Sequence, residues 1–132
     1  MSGKLSFQDL PNTGDARGSS FTLSPETLSF LGRIEDIHVS SLLPGHVRGN
    51  HFHTRKKEVL IVVHHSEWSL HWDDGENTSV EVNKFLGQGA EVVFIEPGCS
   101  HAVRNIGSSE LTIFALNSEA YDPREVIPRR VT

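Results

Sequence analysis

Short runs of β-branched and aromatic residues recur along this chain, each cut off by turn-forming residues, and no segment carries a sustained helical stripe. The clearest run is Val59-Leu60-Ile61-Val62-Val63, apolar at every position and so suited to burial on both faces of a sheet. Further strand patterns lie at residues 37–40, 67–72, 79–82, 91–95, 101–105 and 111–116. Turn residues separate them: Asp73-Asp74-Gly75-Glu76-Asn77, Pro97-Gly98 and Asn105-Ile106-Gly107-Ser108-Ser109. Many short strands at such spacing predict an all-β sandwich or barrel. One helical candidate remains, residues 24–31, with Ser24 as N-cap and Pro25 as first residue, and it is one or two turns long at most. The opening fifteen or so residues and the tail from Pro123 are expected to be irregular.

Length and composition narrow the class. At 132 residues the chain suits one domain, residues 1–132, with its core over about 15–123. Hydrophobic residues at 36% and charged residues at 22% argue for a globular domain rather than disorder. The net charge is −5 with both signs interspersed, so no basic stripe recruits nucleic acid. No apolar run is long enough to span a membrane and no signal core opens the chain, so a cytoplasmic location is expected. Cys99 is the only cysteine, which excludes an internal disulfide. Asn77-Thr78-Ser79 fits a glycosylation sequon and is read as an exposed turn.

Chemistry concentrates in two blocks. Gly45-His46-Val47-Arg48-Gly49-Asn50-His51-Phe52-His53 is followed by Glu58, and Pro97-Gly98-Cys99-Ser100-His101 comes much later and ends at Asn105. On a strand, positions two apart share a face, so His51 and His53 point the same way. Glu58 opens the next strand and can fold back beside them, and His101 can close the site from a later strand. Three imidazoles and a carboxylate form a ligand set for a divalent ion (Zn, Fe, Ni or Mn), with positions left open for water or substrate. With eight histidines in the chain, a lone His-x-His would be weak evidence. The full set with its glycines and Asn105 carries the argument. His38, His46, His64, His65 and His71 are expected to be surface or turn residues. Trp68 and Trp72 share a face with Leu70 and are expected to pack a core or a subunit interface, and Cys99 is read as a small loop residue.

These two blocks resemble the cupin motifs, G-x5-H-x-H-x3–4-E-x6-G and G-x5-P-x-G-x2-H-x3-N. The resemblance implies a jelly-roll barrel, the double-stranded β-helix, with a metal inside one mouth. The first motif fits from Gly45 to Glu58, with His65 in place of its last glycine, at a hairpin turn where histidine tolerates positive φ. The second is looser: Gly89 is one place early, Glu96 stands where proline is usual, and Gly98, His101 and Asn105 fit.

Three further stretches narrow the resemblance. Asp15-Ala16-Arg17-Gly18-Ser19-Ser20-Phe21 looks like the Asp-x-Arg-Gly stretch of sugar-nucleotide epimerases and ketoisomerases. Val47-Arg48-Gly49-Asn50-His51-Phe52-His53 is similar to their Arg-Gly-x-His block, and most of all to the C-terminal cupin domain of capsular-polysaccharide synthesis proteins. Leu116-Asn117-Ser118-Glu119-Ala120-Tyr121-Asp122-Pro123 resembles the tail of the same group. The implied chemistry is proton transfer beside a sugar ketone, with a nucleotide sugar as small-molecule partner and a homodimer as assembly. The apolar segments Phe21-Thr22-Leu23 and Leu28-Ser29-Phe30-Leu31 offer a dimer interface. Arg48 is a candidate catalytic residue for phosphate binding or oxyanion stabilisation, and Tyr121 a candidate general acid. In the metal-free ketoisomerases a histidine of this block is the acid–base, and those enzymes carry glutamine where this chain has Glu58. A metal-dependent dioxygenase or decarboxylase and a non-catalytic ligand-binding cupin are the competing readings.

Overall fold

The computed structural model describes residues 5–75 and 79–132. The Asp73–Asn77 turn and the sequon lie partly outside them. Among the described residues the chain forms two five-stranded antiparallel sheets. In chain order the elements are β1 (Leu5–Asp9), α1 (Pro25–Leu31), β2 (Asp36–Leu42), β3 (Val47–His53), β4 (Glu58–His64), β5 (Trp68–Trp72), β6 (Glu81–Phe85), β7 (Gly89–Ile95), β8 (His101–Asn105), β9 (Leu111–Asn117), a 3-10 helix (Pro123–Glu125) and β10 (Val126–Pro128). The first sheet runs β1-β7-β4-β9-β2 and the second β10-β3-β8-β5-β6. Neighbours far apart in sequence sit side by side, so the chain winds back and forth between sheets as a jelly roll does.

The apolar run at β4 is central to the first sheet, flanked by β7 and β9, and its two faces feed two cores. Leu60 and Val62 point inwards, where Val93, Ile95, Leu111 and Ile113 meet Trp68, Leu70 and Val103 of the second sheet. Trp68 and Leu70 are fully buried and Trp72 packs at the margin of this core, so the period-two aromatics fill the barrel. Phe85 stacks on Trp68 with ring centroids 4.4 Å apart. Val59, Val92 and Leu116 point the other way. They are covered by Leu10, Phe21, Leu23, Phe30 and Leu31.

That outer cover corrects one expectation. The segments read as a dimer interface, 21–23 and 28–31, mostly pack on the chain's own first sheet, through α1 and the coil before it. Among their apolar residues only Leu28 points well into solvent. Helix α1 starts as anticipated, with Ser24 extended at the N-cap and Pro25 in the first turn, and stops at Gly32 with φ 74°.

Strands also lie near both ends of the described residues, β1 and β10, against the expectation of irregular structure. β1 pairs with β7 from Leu5↔Ile95 to Asp9↔Glu91. β10 pairs with β3, setting Val126 opposite His53 and Pro128 opposite His51. Hydrophobic periodicity misses both because β1 offers only two apolar positions, Leu5 and Phe7, and β10 has only three residues. None of the described helices is long and apolar enough to cross a membrane.

Candidate functional site

The site is built from both sheets. β3 and β8 lie side by side in the second sheet with His51 directly opposite His101. His53 follows His51 on the same face, and Glu58 reaches in from β4 of the first sheet, at the end where it pairs with Ile95 and Asn117. One nitrogen or oxygen from each of His53, Glu58 and His101 lies within 4.8 Å of the others. The His51 ring stands beside this group, 5.0 Å between centroids from both His53 and His101, and lines the cavity that opens onto it.

The local sequence explains how three imidazoles fit side by side. Register slips between Gly49 and His51, a β-bulge that turns His51 inwards. Gly49 has φ 111°, and a Cβ there would lie 2.6 Å from the carbonyl oxygen of His101. Only glycine lets β3 approach β8 this closely. Asn50 has φ 60°, and its side chain accepts the Val131 N–H at 2.8 Å and donates to Thr132 Oγ1 at 3.1 Å. The two motifs are also joined directly. Gly98, with φ 87°, donates its N–H to the His53 carbonyl at 2.8 Å, and Gly45 donates to the Asn105 carbonyl at 2.9 Å. Buried Asn105 donates to the carbonyls of Leu42 and Ser109. His65 sits at the bend after β4, and its φ is not positive: Asn50 is the single non-glycine with positive φ among the described residues. The departure from the motif at His65 therefore carries no backbone strain.

Burial sets the electrostatics. It drives His51 down to about 4 and His53 to about 3, with the charges of His101 and Lys56 pushing the same way and Glu58 opposing. Both rings are therefore neutral near pH 7, with a lone pair to offer. Burial pushes the Glu58 carboxyl up, but the hydrogen bond and charge of the facing His101, with smaller contributions from His53 and Lys56, outweigh it and hold it at about 2. His101 Nδ1 lies 3.0 Å from the Cys99 carbonyl. A carbonyl only accepts, so Nδ1 carries the hydrogen and Nε2 faces Glu58 Oε1 at 3.4 Å. A lone pair and a carboxylate at that distance call for a positive charge between them, either a proton or a metal ion. Buried His53 Nδ1 has no hydrogen-bond partner. The donor set, the fixed tautomer and this orphaned nitrogen all fit a divalent ion.

Lys56 was not singled out by sequence reasoning. It is buried, two residues before Glu58, and its charge acts on His51, His53 and Glu58 together. The loop carrying it is pinned by buried Glu125, whose Oε1 accepts the Arg55 N–H at 2.7 Å and the Lys56 N–H. That support comes from the tail and is invisible in either motif.

The cavity above these residues has a volume of about 430 Å³, with Leu60, Val103, Ile113 and Ala115 among its walls and Arg48 at its rim. Arg48 is exposed, and its Nε donates to the Ser41 carbonyl at 2.9 Å. Tyr121 is not brought to this place. It is 69% exposed and lines a separate surface hollow with Arg33, Arg55 and Arg124. Its backbone N–H donates to Asp36 Oδ2 at 3.0 Å, a tail-anchoring contact. Cys99 is fully buried in the inner core. Two histidines expected at the surface are buried instead: His64 beside Glu91, and His71 beside Ser69.

Solved structures with this fold include enzymes of sugar metabolism. A variant of the 3,4-ketoisomerase QdtA from Thermoanaerobacterium thermosaccharolyticum, in complex with TDP-4-keto-6-deoxyglucose, aligns over 96% of this chain and 88% of its own, with TM-score 0.74 and 15% identity. NovW, a 4-keto-6-deoxy sugar epimerase from Streptomyces spheroides, aligns over 93% and 67%, with TM-score 0.75 and 20% identity. The capsular polysaccharide assembling protein CapF from Staphylococcus aureus aligns over 92% of this chain, with TM-score 0.66 and 25% identity, and this chain spans 34% of it. No curated protein matches by sequence. The polysaccharide biosynthesis C-terminal domain pattern covers residues 13–126, and with a cupin barrel carrying its two motif blocks the chain belongs to that family.

Proposed function

We propose that residues 1–132 act as one cupin domain that binds a nucleotide-linked keto-sugar and moves a proton on the carbon beside its ketone, with a divalent ion held by His51, His53, Glu58 and His101. The observation that carries this reading is the convergence of His53, Glu58 and His101 within 4.8 Å at the base of a cavity with an arginine at its rim. The likeness to structures named as sugar ketoisomerases and epimerases supports the substrate class.

Each residue has a part in this scheme. His51, Glu58 and His101 face the cavity and would present ion and substrate to each other. The Cys99 carbonyl keeps the His101 Nε2 lone pair directed inwards. A bound divalent ion would polarise the keto oxygen and so acidify the neighbouring C–H. Arg48 presents a guanidinium fork at the rim, suited to the oxygens of a diphosphate. The apolar wall of Leu60, Val103, Ile113 and Ala115 limits water around the sugar ring.

The test is solvent exchange. The protein loaded in turn with Zn, Fe(II), Ni or Mn is incubated with TDP-4-keto-6-deoxyglucose in D2O, and deuterium is expected beside the ketone. Absence of label with every ion defeats the reading. In parallel, Glu58→Gln and His53→Ala are expected to lower metal content after dialysis at least tenfold, consistent with ligand-level losses in affinity. Unchanged metal content in both would remove the ion from the scheme.

A homodimer belongs to the same proposal. The edge strand β2 leaves Ile37 and Val39 exposed at 60% and 57%, which suits pairing with a second copy. Light scattering is expected to give twice the chain mass, and Ile37→Lys with Val39→Lys is expected to shift it towards the monomer.

A further inference from the structure

The four side chains that would hold an ion are committed to it, which leaves the proton transfer without an acid–base group. The fold supplies one on β2. Along this edge strand Ile37 and Val39 face solvent, whereas His38 and Ser40 line the cavity. Register carries the row inwards: His38 pairs with Ala115 on β9, and Ala115 with Leu60 on β4. All three line the cavity. The adjacent row runs from Asp36 through Asn117 to Glu58. His38 thus stands one row along from Glu58 and two strands across, roughly 10 Å sideways at about 4.8 Å per strand. The intervening space is the cavity itself.

The ring of His38 is free of the hydrogen bonds that hold three other histidines. His64, His71 and His101 each have a ring nitrogen committed to a protein partner. Among the described residues no hydrogen bond engages either nitrogen of His38. Its ring is exposed to solvent, so a proton it takes up can be traded with water.

We propose that His38 is the catalytic acid–base of this cavity. The inference rests on the keto-sugar reading above. A neutral imidazole nitrogen of His38 takes the proton from the carbon beside the ketone. The C–H electron pair becomes the C=C bond of an enolate, and the carbonyl π pair moves onto the oxygen. Return of a proton from His38 to that carbon restores the ketone and the neutral imidazole. Nothing is oxidised or reduced. In D2O the returned proton is a deuteron, so the half-reaction is read directly as label.

The experiment compares the parent with His38→Gln and His38→Ala, using TDP-4-keto-6-deoxyglucose as the probe for both exchange and calorimetric binding. Because His38 is exposed and unbonded, both variants are expected to keep the parent's melting temperature and metal content. Exchange is expected to fall at least 100-fold, the range of a lost general base, while the probe's Kd changes by less than about threefold, since one exposed side chain is removed from a much larger contact. Exchange within threefold of the parent in both variants overturns the assignment of His38 and leaves the keto-sugar reading standing. A parent that exchanges no label overturns both, and is told apart by the parent alone.

Discussion

Gly49 and Asn50 show how much of the site depends on single backbone positions. At Gly49 a methyl group would sit 2.6 Å from the His101 carbonyl oxygen and 2.8 Å from the Ala102 Cα, at φ 111°. Both obstacles are backbone, so the strands themselves must part. Gly49→Ala is expected to cost about 3 kcal/mol or more, from clash and strain together. It should also separate His51 from His101, read as a drop in melting temperature accompanied by lost metal. Asn50→Ala is expected to cost about 1–2 kcal/mol, by removing the bonds to Val131 and Thr132 and by placing alanine at positive φ. Both are measured by denaturant unfolding. The cluster of His53, Glu58 and His101 was legible at this scale because His-x-His-x4-Glu is a pattern of identities. The part of Asn50 in the bulge was not: a bulge depends on what the strand pairs with, and no residue type announces it. Lys56 escaped for the same reason, since its burial is decided by Glu125 from the other end of the chain.

At the scale of elements, β1, β4 and β7 meet over a buried polar cluster at the far end of β4 from Glu58. His64 Nε2 lies 2.5 Å from Glu91 Oε2, and Asp9 on β1 is the register partner of Glu91. His64 Nδ1 lies 2.7 Å from the Gly87 carbonyl, so it donates there and leaves Nε2 to accept. Burial, helped by the hydrogen bond and charge of Asp9 and opposed by Trp68, pushes Glu91 up to about 8. A protonated Glu91 has one hydrogen to give, which can go to His64 Nε2, and the neighbouring Asp9 favours this neutral form. Because the folded pKa is raised, this contribution is complete below about pH 4.5, the ordinary glutamate value, and is lost as pH rises to about 8. The loss is expected to be on the order of 3 kcal/mol at 1.36 kcal/mol per pKa unit. Glu91→Gln, whose amide also donates to His64, should flatten it. Thermal unfolding at pH 5 and pH 8 checks this: equal pH dependence in parent and variant would contradict the neutral pair. The strands themselves were largely readable: six of the seven runs of period-two or continuous apolar residues match strands, and the seventh, 79–82, overlaps β6 only at Glu81 and Val82. Their polar ends were not, because a buried His and Glu look like surface residues until pairing places them together.

The whole molecule is closed by its tail. β10 pairs with β3, Arg129 Nη2 lies 3.2 Å from Oδ2 of buried Asp73, and the Arg129 N–H donates to the Asn50 carbonyl. Removing residues 126–132 would strip the outer edge of the strand that carries His51 and His53 and leave Asp73 buried without its cation. The expected cost is about 3–5 kcal/mol from the unpaired carboxylate and lost backbone bonds, read as a fall in melting temperature and a matching loss of metal. Retained metal at a lowered melting temperature would show that the tail stabilises the fold without shaping the site. The sequence by itself determined the β class, the strand-rich middle of the chain and the identities of the candidate ligand residues, because these follow from local periodicity and from side-chain chemistry. Only the tertiary structure decided that residues 5–9 and 126–128 are strands, that His38 faces the cavity while Tyr121 does not, and that His64 and Glu91 are buried together. Those outcomes depend on which strands become neighbours and which face turns inwards. That choice is made by burial summed over the whole barrel rather than by any residue's own preference.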